Sequence, residues 1–154
     1  GFPFALCCSV NEEIVHGFPS AKRILSEGDI VSFDMGVVYQ GFFGDAARTV
    51  GVGAISEDTA RLLRVTEECL YKAIDQVKPG NTINDLAKAV QTHAEAAGYS
   101  VIEPMVALGG HEVDILADQW TAVTRDRRLS AHFEHSVAVL PNGPKILTLS
   151  TPAA

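Results

Sequence analysis

The stretch FDMGVVYQGFFGDAARTV, Phe33 to Val50, restricts the possible folds more than any other part of the chain. It reads as two apolar strands meeting at Gln40-Gly41, where the glycine supplies the backbone freedom of a tight reversal. A two-residue turn there places Tyr39 opposite Phe42, Gly36 opposite Asp45 and Asp34 opposite Ala47. Yet Asp34 and Asp45 occupy strand interiors, where aspartate competes with the ladder for hydrogen bonds and is costly to bury. Side chains alternate along a strand, so Asp34 and Gly36 share a face, and Asp45 joins them as the diagonal neighbour of Asp34. Diagonal positions lie about 7–8 Å apart at the backbone, within joint reach of something small. A four-residue loop preserves this parity, whereas a three-residue loop or a bulge would separate the two carboxylates. Gly36, Ala46 and Ala47 leave room around the pair. Two carboxylates in one enclosed site do not both ionise without compensation, which leaves a shared proton, an arginine such as Arg48, or a bound metal. The alternative is a pair of edge-strand aspartates in solvent.

Two further acids bear on that choice. Glu103 in VIEPMVAL is surrounded by apolar residues and followed by Pro104, which suggests a strand end or edge. Glu134 in SAHFEHSVAVL sits in an otherwise β-prone run. Each alone suits a structural or solvent-facing role. Four acids within four apolar strands instead suit hard oxygen ligands converging on a divalent metal.

Around this hairpin the chain is expected to be α+β. The first third, Gly1 to Gly53, is strand-like in FALCCSV, DIVSFDMGVVY and GFFGDAARTV. From Ser56, a plausible N-cap, apolar residues recur at Leu62, Leu63, Val65, Cys69, Leu70, Ala73, Ile74 and Val77 with helical spacing until KPG. A second helix starts near Thr82 and ends at Gly98. Strands return in IEPMVAL, HEVDIL, WTAVT, HFEHSVAVL and KILTL. The pattern predicts two helices on one face of a mostly antiparallel sheet, in a single domain spanning residues 1–154.

Composition excludes several functions. A net charge of −7 with 12 Lys+Arg leaves no basic footprint for nucleic acid. No apolar run approaches the roughly 20 residues a membrane crossing needs. Cys7, Cys8 and Cys69 form an odd set without zinc-type spacing, as expected in a reducing, cytoplasmic setting. The chain opens on Gly1 with no visible signal peptide, as expected of a fragment or a processed product.

Five stretches, SVNEEIVHGFPS, EGDIVSFDMGVVYQGFFGDAART, KPGNTINDLAKAVQTHAEAAGYSV, IEPMV and LSAHFEHSVAV, resemble type I methionine aminopeptidases, of the pita-bread fold. They span nearly the whole chain in family order. The resemblance implies two adjacent divalent metals (Mn, Fe, Co or Zn) held by Asp34, Asp45, Glu103 and Glu134. It also implies removal of the initiator methionine from nascent polypeptides, by a cytoplasmic enzyme expected to be monomeric. The implied chemistry is metal-assisted amide hydrolysis with a metal-bridged water, Glu103 being both ligand and base. His16 in VHGFP matches a substrate-contacting histidine, and Phe2, Cys7 and Trp120 match the lining of a methionine pocket. Read from the residues alone, His16 is a loop histidine, Phe2 and Cys7 ordinary core, and Trp120 a strand anchor. His132, His135, His93 and His111 are expected to be structural or surface residues, and Cys8 has no assigned role.

The chain departs from the family at one junction. Between AAGYSV and IEPMV the family carries a few dozen residues, including a His-Gly-Ile-Gly segment with the site's only nitrogen ligand and a second, substrate-contacting histidine. Here Val101 precedes Ile102 directly. The domain is therefore expected to be incomplete there and at its N-terminus, either because residues are omitted from the sequence or by true deletion. Three functions remain open: the aminopeptidase, a related hydrolase of Xaa-Pro bonds, and an impaired or inactive pita-bread module that binds polypeptide or a partner.

Overall fold

Secondary structure follows the local signals closely. The computed structural model describes residues 1–102 and 105–149. The elements are β1 (Cys7–Val10), β2 (Glu13–Val15), β3 (Ile30–Tyr39), β4 (Phe42–Gly51), α1 (Glu57–Ile74), α2 (Ile83–Ala96), β5 (Ser100–Ile102), β6 (Met105–Ala107), β7 (Val113–Ile115), β8 (Ala122–Thr124), β9 (Ser130–Ala131), β10 (Glu134–His135), β11 (Val137–Leu140) and β12 (Gly143–Ile146). Every strand pair among the described residues is antiparallel.

Among the described residues the antiparallel strands form four hydrogen-bonded groups, ordered β1-β3-β4-β10, β2-β8-β7, β5-β6-β9 and β11-β12. The expected strand HFEHSVAVL breaks at Ser136 for a visible reason. Its hydroxyl accepts from the Asp45 amide and donates to the Asp45 carbonyl, both at 2.9 Å. That side chain takes up ladder groups of β4, so β10 ends there and β11 turns away to pair with β12.

Both helices begin where their caps predict. The Ser56 hydroxyl accepts from the Thr59 amide at 3.1 Å, satisfying a donor that has no partner within α1. At α2 the Asp85 carboxylate accepts from the Thr82 amide at 2.7 Å and from its hydroxyl at 2.8 Å. Gly98 follows α2 with φ of +82°, the left-handed conformation that ends helices. Helix α1 stops at Ile74, short of Val77, and single turns carry the chain on.

The main core joins Leu62, Val65 and Cys69 of α1, Ala94 of α2 and Tyr99 to Ile30, Val106, Ala131 and Phe133 from the strands. A smaller cluster of Ile14, Met105 and Ala122 ties β2, β6 and β8 together. Val101 and Ile102 are consecutive residues of β5, which pairs antiparallel with β6 and places Ile102 opposite Met105. Between those partners lie Glu103 and Pro104, outside the described residues. Among the described residues, no helix is long and apolar enough to cross a membrane.

Candidate metal centre

The hairpin register is the one its turn chemistry predicts. Gln40 and Gly41 both take positive φ, 50° and 83°, as the tightest hairpin turns require. Gly36 therefore faces Asp45 and Asp34 faces Ala47. The neighbouring strands extend this line, with Cys7 opposite Asp34 and Glu134 opposite Ala47. Cys7, Asp34, Ala47 and Glu134 thus form one row across four strands. Residues directly opposite one another point to the same face, so Asp34 and Glu134 flank the buried Ala47 methyl, their backbones roughly 10 Å apart. Asp45, two residues from Ala47 along β4, shares that face. Its carboxylate leans over Gly36, with Oδ1 3.8 Å from where a β-carbon would stand.

Electrostatics mark the row as strained. Burial pushes the Asp34 carboxyl above its ordinary range; the charges of Asp45 and Glu134 add to this, while His132 and His16 oppose it. Cys7 is pushed up to about 11, chiefly by burial and then by Asp34. Glu134 moves the other way, because His132 beside it favours the ionised form against the effect of burial.

His132, expected to be structural, lies at the edge of this row. It is 3% exposed, and its Nε2 stands 3.3 Å from Glu134 Oε2. Among the described residues, neither ring nitrogen has a hydrogen-bond partner. Its position two residues before Glu134 was the available signal, since such residues share a face in extended chain.

The expected substrate residues also meet. The Phe2 ring lies 5.4 Å from Trp120 and 6.3 Å from His16, and His16 lies 6.0 Å from Trp120. Phe4 and Phe18, absent from the sequence-based expectation, complete the aromatic group at 5.9 and 5.5 Å from Phe2. His16 is exposed and takes a positive φ of 59°. Its conformation is held by Gly17, buried so tightly on β1 that a β-carbon would stand 2.5 Å from the Cys8 carbonyl oxygen. Cys7 joins this group to the carboxylates by facing Asp34.

Among the described residues, no three histidine, cysteine, aspartate or glutamate side chains converge tightly enough to hold one ion. Glu103, the fourth expected ligand, lies outside those residues. The donor chemistry nevertheless fits a divalent cation: three carboxylates share one face, and the buried imidazole beside them makes no hydrogen bond among the described residues.

Residues 1–140 match the sequence profile of metallopeptidase family M24. The chain belongs to that family. Membership in M24 implies divalent-metal binding. A methionine aminopeptidase from Clostridium perfringens is 42% identical over 187 residues, covering 97% of this chain and 75% of the relative. Methionine aminopeptidase 1 from Bacillus subtilis is 39% identical over 186 residues, covering 96% and 75%. The crystal structure of the Thermotoga maritima methionine aminopeptidase superposes with a TM-score of 0.92 at 38% identity, covering 94% of this chain and 74% of that one. Hence this M24 chain has the pita-bread fold. The aligned length of 187 exceeds the chain's own 154 residues, so the match steps over a few dozen positions that the relative has and this chain lacks.

Proposed function

We propose that this chain removes N-terminal methionine from nascent polypeptides, with Asp34, Asp45, Glu103 and Glu134 as ligands of two divalent cations. The observation that carries this is the row itself: Asp34 and Glu134 flank Ala47 on the face where Asp45 leans over Gly36. A cation bound there supplies a Lewis acid, which polarises an amide carbonyl and acidifies water. Glu103 is assigned as the base that carries the proton from water to the leaving amine. His16, exposed beside the aromatic group, is assigned to orient the scissile amide. Phe2 and Trp120, with Cys7 next to Asp34, form the wall for the methionine side chain, whose sulfur gains about 0.3–1.5 kcal/mol from each aromatic contact. We place the enzyme in the cytoplasm as a monomer, using Mn, Fe, Co or Zn.

The test is release of methionine from a Met-Ala-Ser peptide by purified chain with added Mn²⁺ or Co²⁺. Metal-dependent release, with Ala-Pro peptides left intact, is the expected result. Absence of release at any metal level refutes the activity.

A second reading, a pita-bread module that binds polypeptide without cleaving it, draws support from the few dozen positions that the relative has and this chain lacks. It expects peptide binding without turnover.

A further inference from the structure

We infer that His132 is a nitrogen ligand for the cation of the carboxylate row. This rests on the metal-binding reading above and assigns it a donor of another chemical type.

Buried polar groups nearly always find hydrogen-bond partners, so a buried imidazole with both nitrogens bare needs an explanation. His132 is 3% exposed, and among the described residues neither Nδ1 nor Nε2 makes a hydrogen bond. Its backbone is fixed: its amide donates to Thr49 Oγ1 at 2.8 Å, and that hydroxyl donates to its carbonyl at 2.9 Å. Ser32 Oγ holds the same hydroxyl at 2.7 Å from the next strand. With the backbone pinned to β4, the ring stays buried with Nε2 beside the Glu134 carboxylate.

The carboxylate beside Nε2 is informative. Glu134 Oε2 stands 3.3 Å away, without the alignment of a hydrogen bond. Two donors bound to one ion at about 2.1 Å each, in tetrahedral geometry, lie roughly 3.4 Å apart. The pair therefore has the spacing of two ligands of one cation. An ion pair between His132 and Glu134 is the competing explanation. Like a metal bond, it engages Nε2 alone, so the response to metals tested below is what separates the two.

A nitrogen ligand changes which metal the site selects. Mg²⁺ and Ca²⁺ take oxygen donors, whereas imidazole favours Fe, Co and Zn. His132 should therefore set the preference for transition metals over Mg²⁺.

The experiment is calorimetric titration of the full chain and of His132→Gln with Co²⁺ and, separately, with Mg²⁺. Glutamine keeps most of the volume and a polar end but offers no imidazole. The expected result is a loss of Co²⁺ affinity of about tenfold or more, with Mg²⁺ affinity little changed. Equal losses for both metals, or no loss for either, overturn the assignment while leaving the metal site standing. Failure of the unmodified chain to bind Co²⁺ overturns both. If His132→Gln melts well below the parent, pulsed EPR of the Mn²⁺-loaded parent decides: imidazole nitrogen modulation supports the ligand, and its absence overturns it.

Discussion

Asp45 leans across the sheet over Gly36, its Oδ1 3.8 Å from the point where a β-carbon would stand. This relationship makes the glycine part of the metal face rather than part of the turn. A single methyl would meet the carboxylate at ordinary contact distance, so Gly36→Ala should leave metal binding within about threefold of the parent. Gly36→Val adds branches that overlap the carboxylate. Its Mn²⁺ affinity should fall about tenfold or more by calorimetry, with the melting temperature unchanged or raised by better strand propensity.

Asp34 opposes function and stability. Burial and the charges of Asp45 and Glu134 disfavour its ionised form. Asp34→Asn should raise the thermal midpoint of the chain in chelator. The same change should weaken Mn²⁺ binding by roughly 100-fold. A fall in both quantities would contradict this account of the row.

Much of this site was readable from residue order. The Gln40-Gly41 turn set the register, and strand alternation then put Asp34 and Asp45 on one face. Ser56 and Thr82 marked the two helix starts by chemistry acting within a few residues. What escaped depended on distant parts of the chain. His132 gains its meaning from Thr49, 83 positions away, which pins its backbone. Phe4 and Phe18 join the aromatic group only because the chain between them folds back. The break at Ser136 comes from its hydroxyl binding both backbone groups of Asp45. No local propensity encodes any of these three.

Gly17 holds His16 in place. A β-carbon there would stand 2.5 Å from the Cys8 carbonyl oxygen and 2.7 Å from the Ser9 α-carbon, both backbone atoms that cannot step aside cheaply. Gly17→Ala should therefore destabilise the chain by about 1–3 kcal/mol in urea unfolding. It should also raise KM for methionyl peptides by displacing His16.

The start of α2 should be acid-sensitive. Hydrogen bonds from Thr82 hold the Asp85 carboxyl below the usual carboxylate range. A depressed carboxyl contributes stability that is present above its ordinary pKa and lost as pH falls through the depressed folded value. Melting of the parent should thus decline across that acid window, and Asp85→Asn should show a shallower decline. Identical slopes would refute the contribution.

The central claim is that the β3–β4–β10 face gathers metal. Its most direct test is a crystal structure of the chain grown with Mn²⁺, with anomalous scattering recorded. Density is expected over the Ala47 methyl, bounded by Asp34, Asp45 and Glu134, with His132 beside it. Anomalous density elsewhere, or none at saturating Mn²⁺, would contradict it.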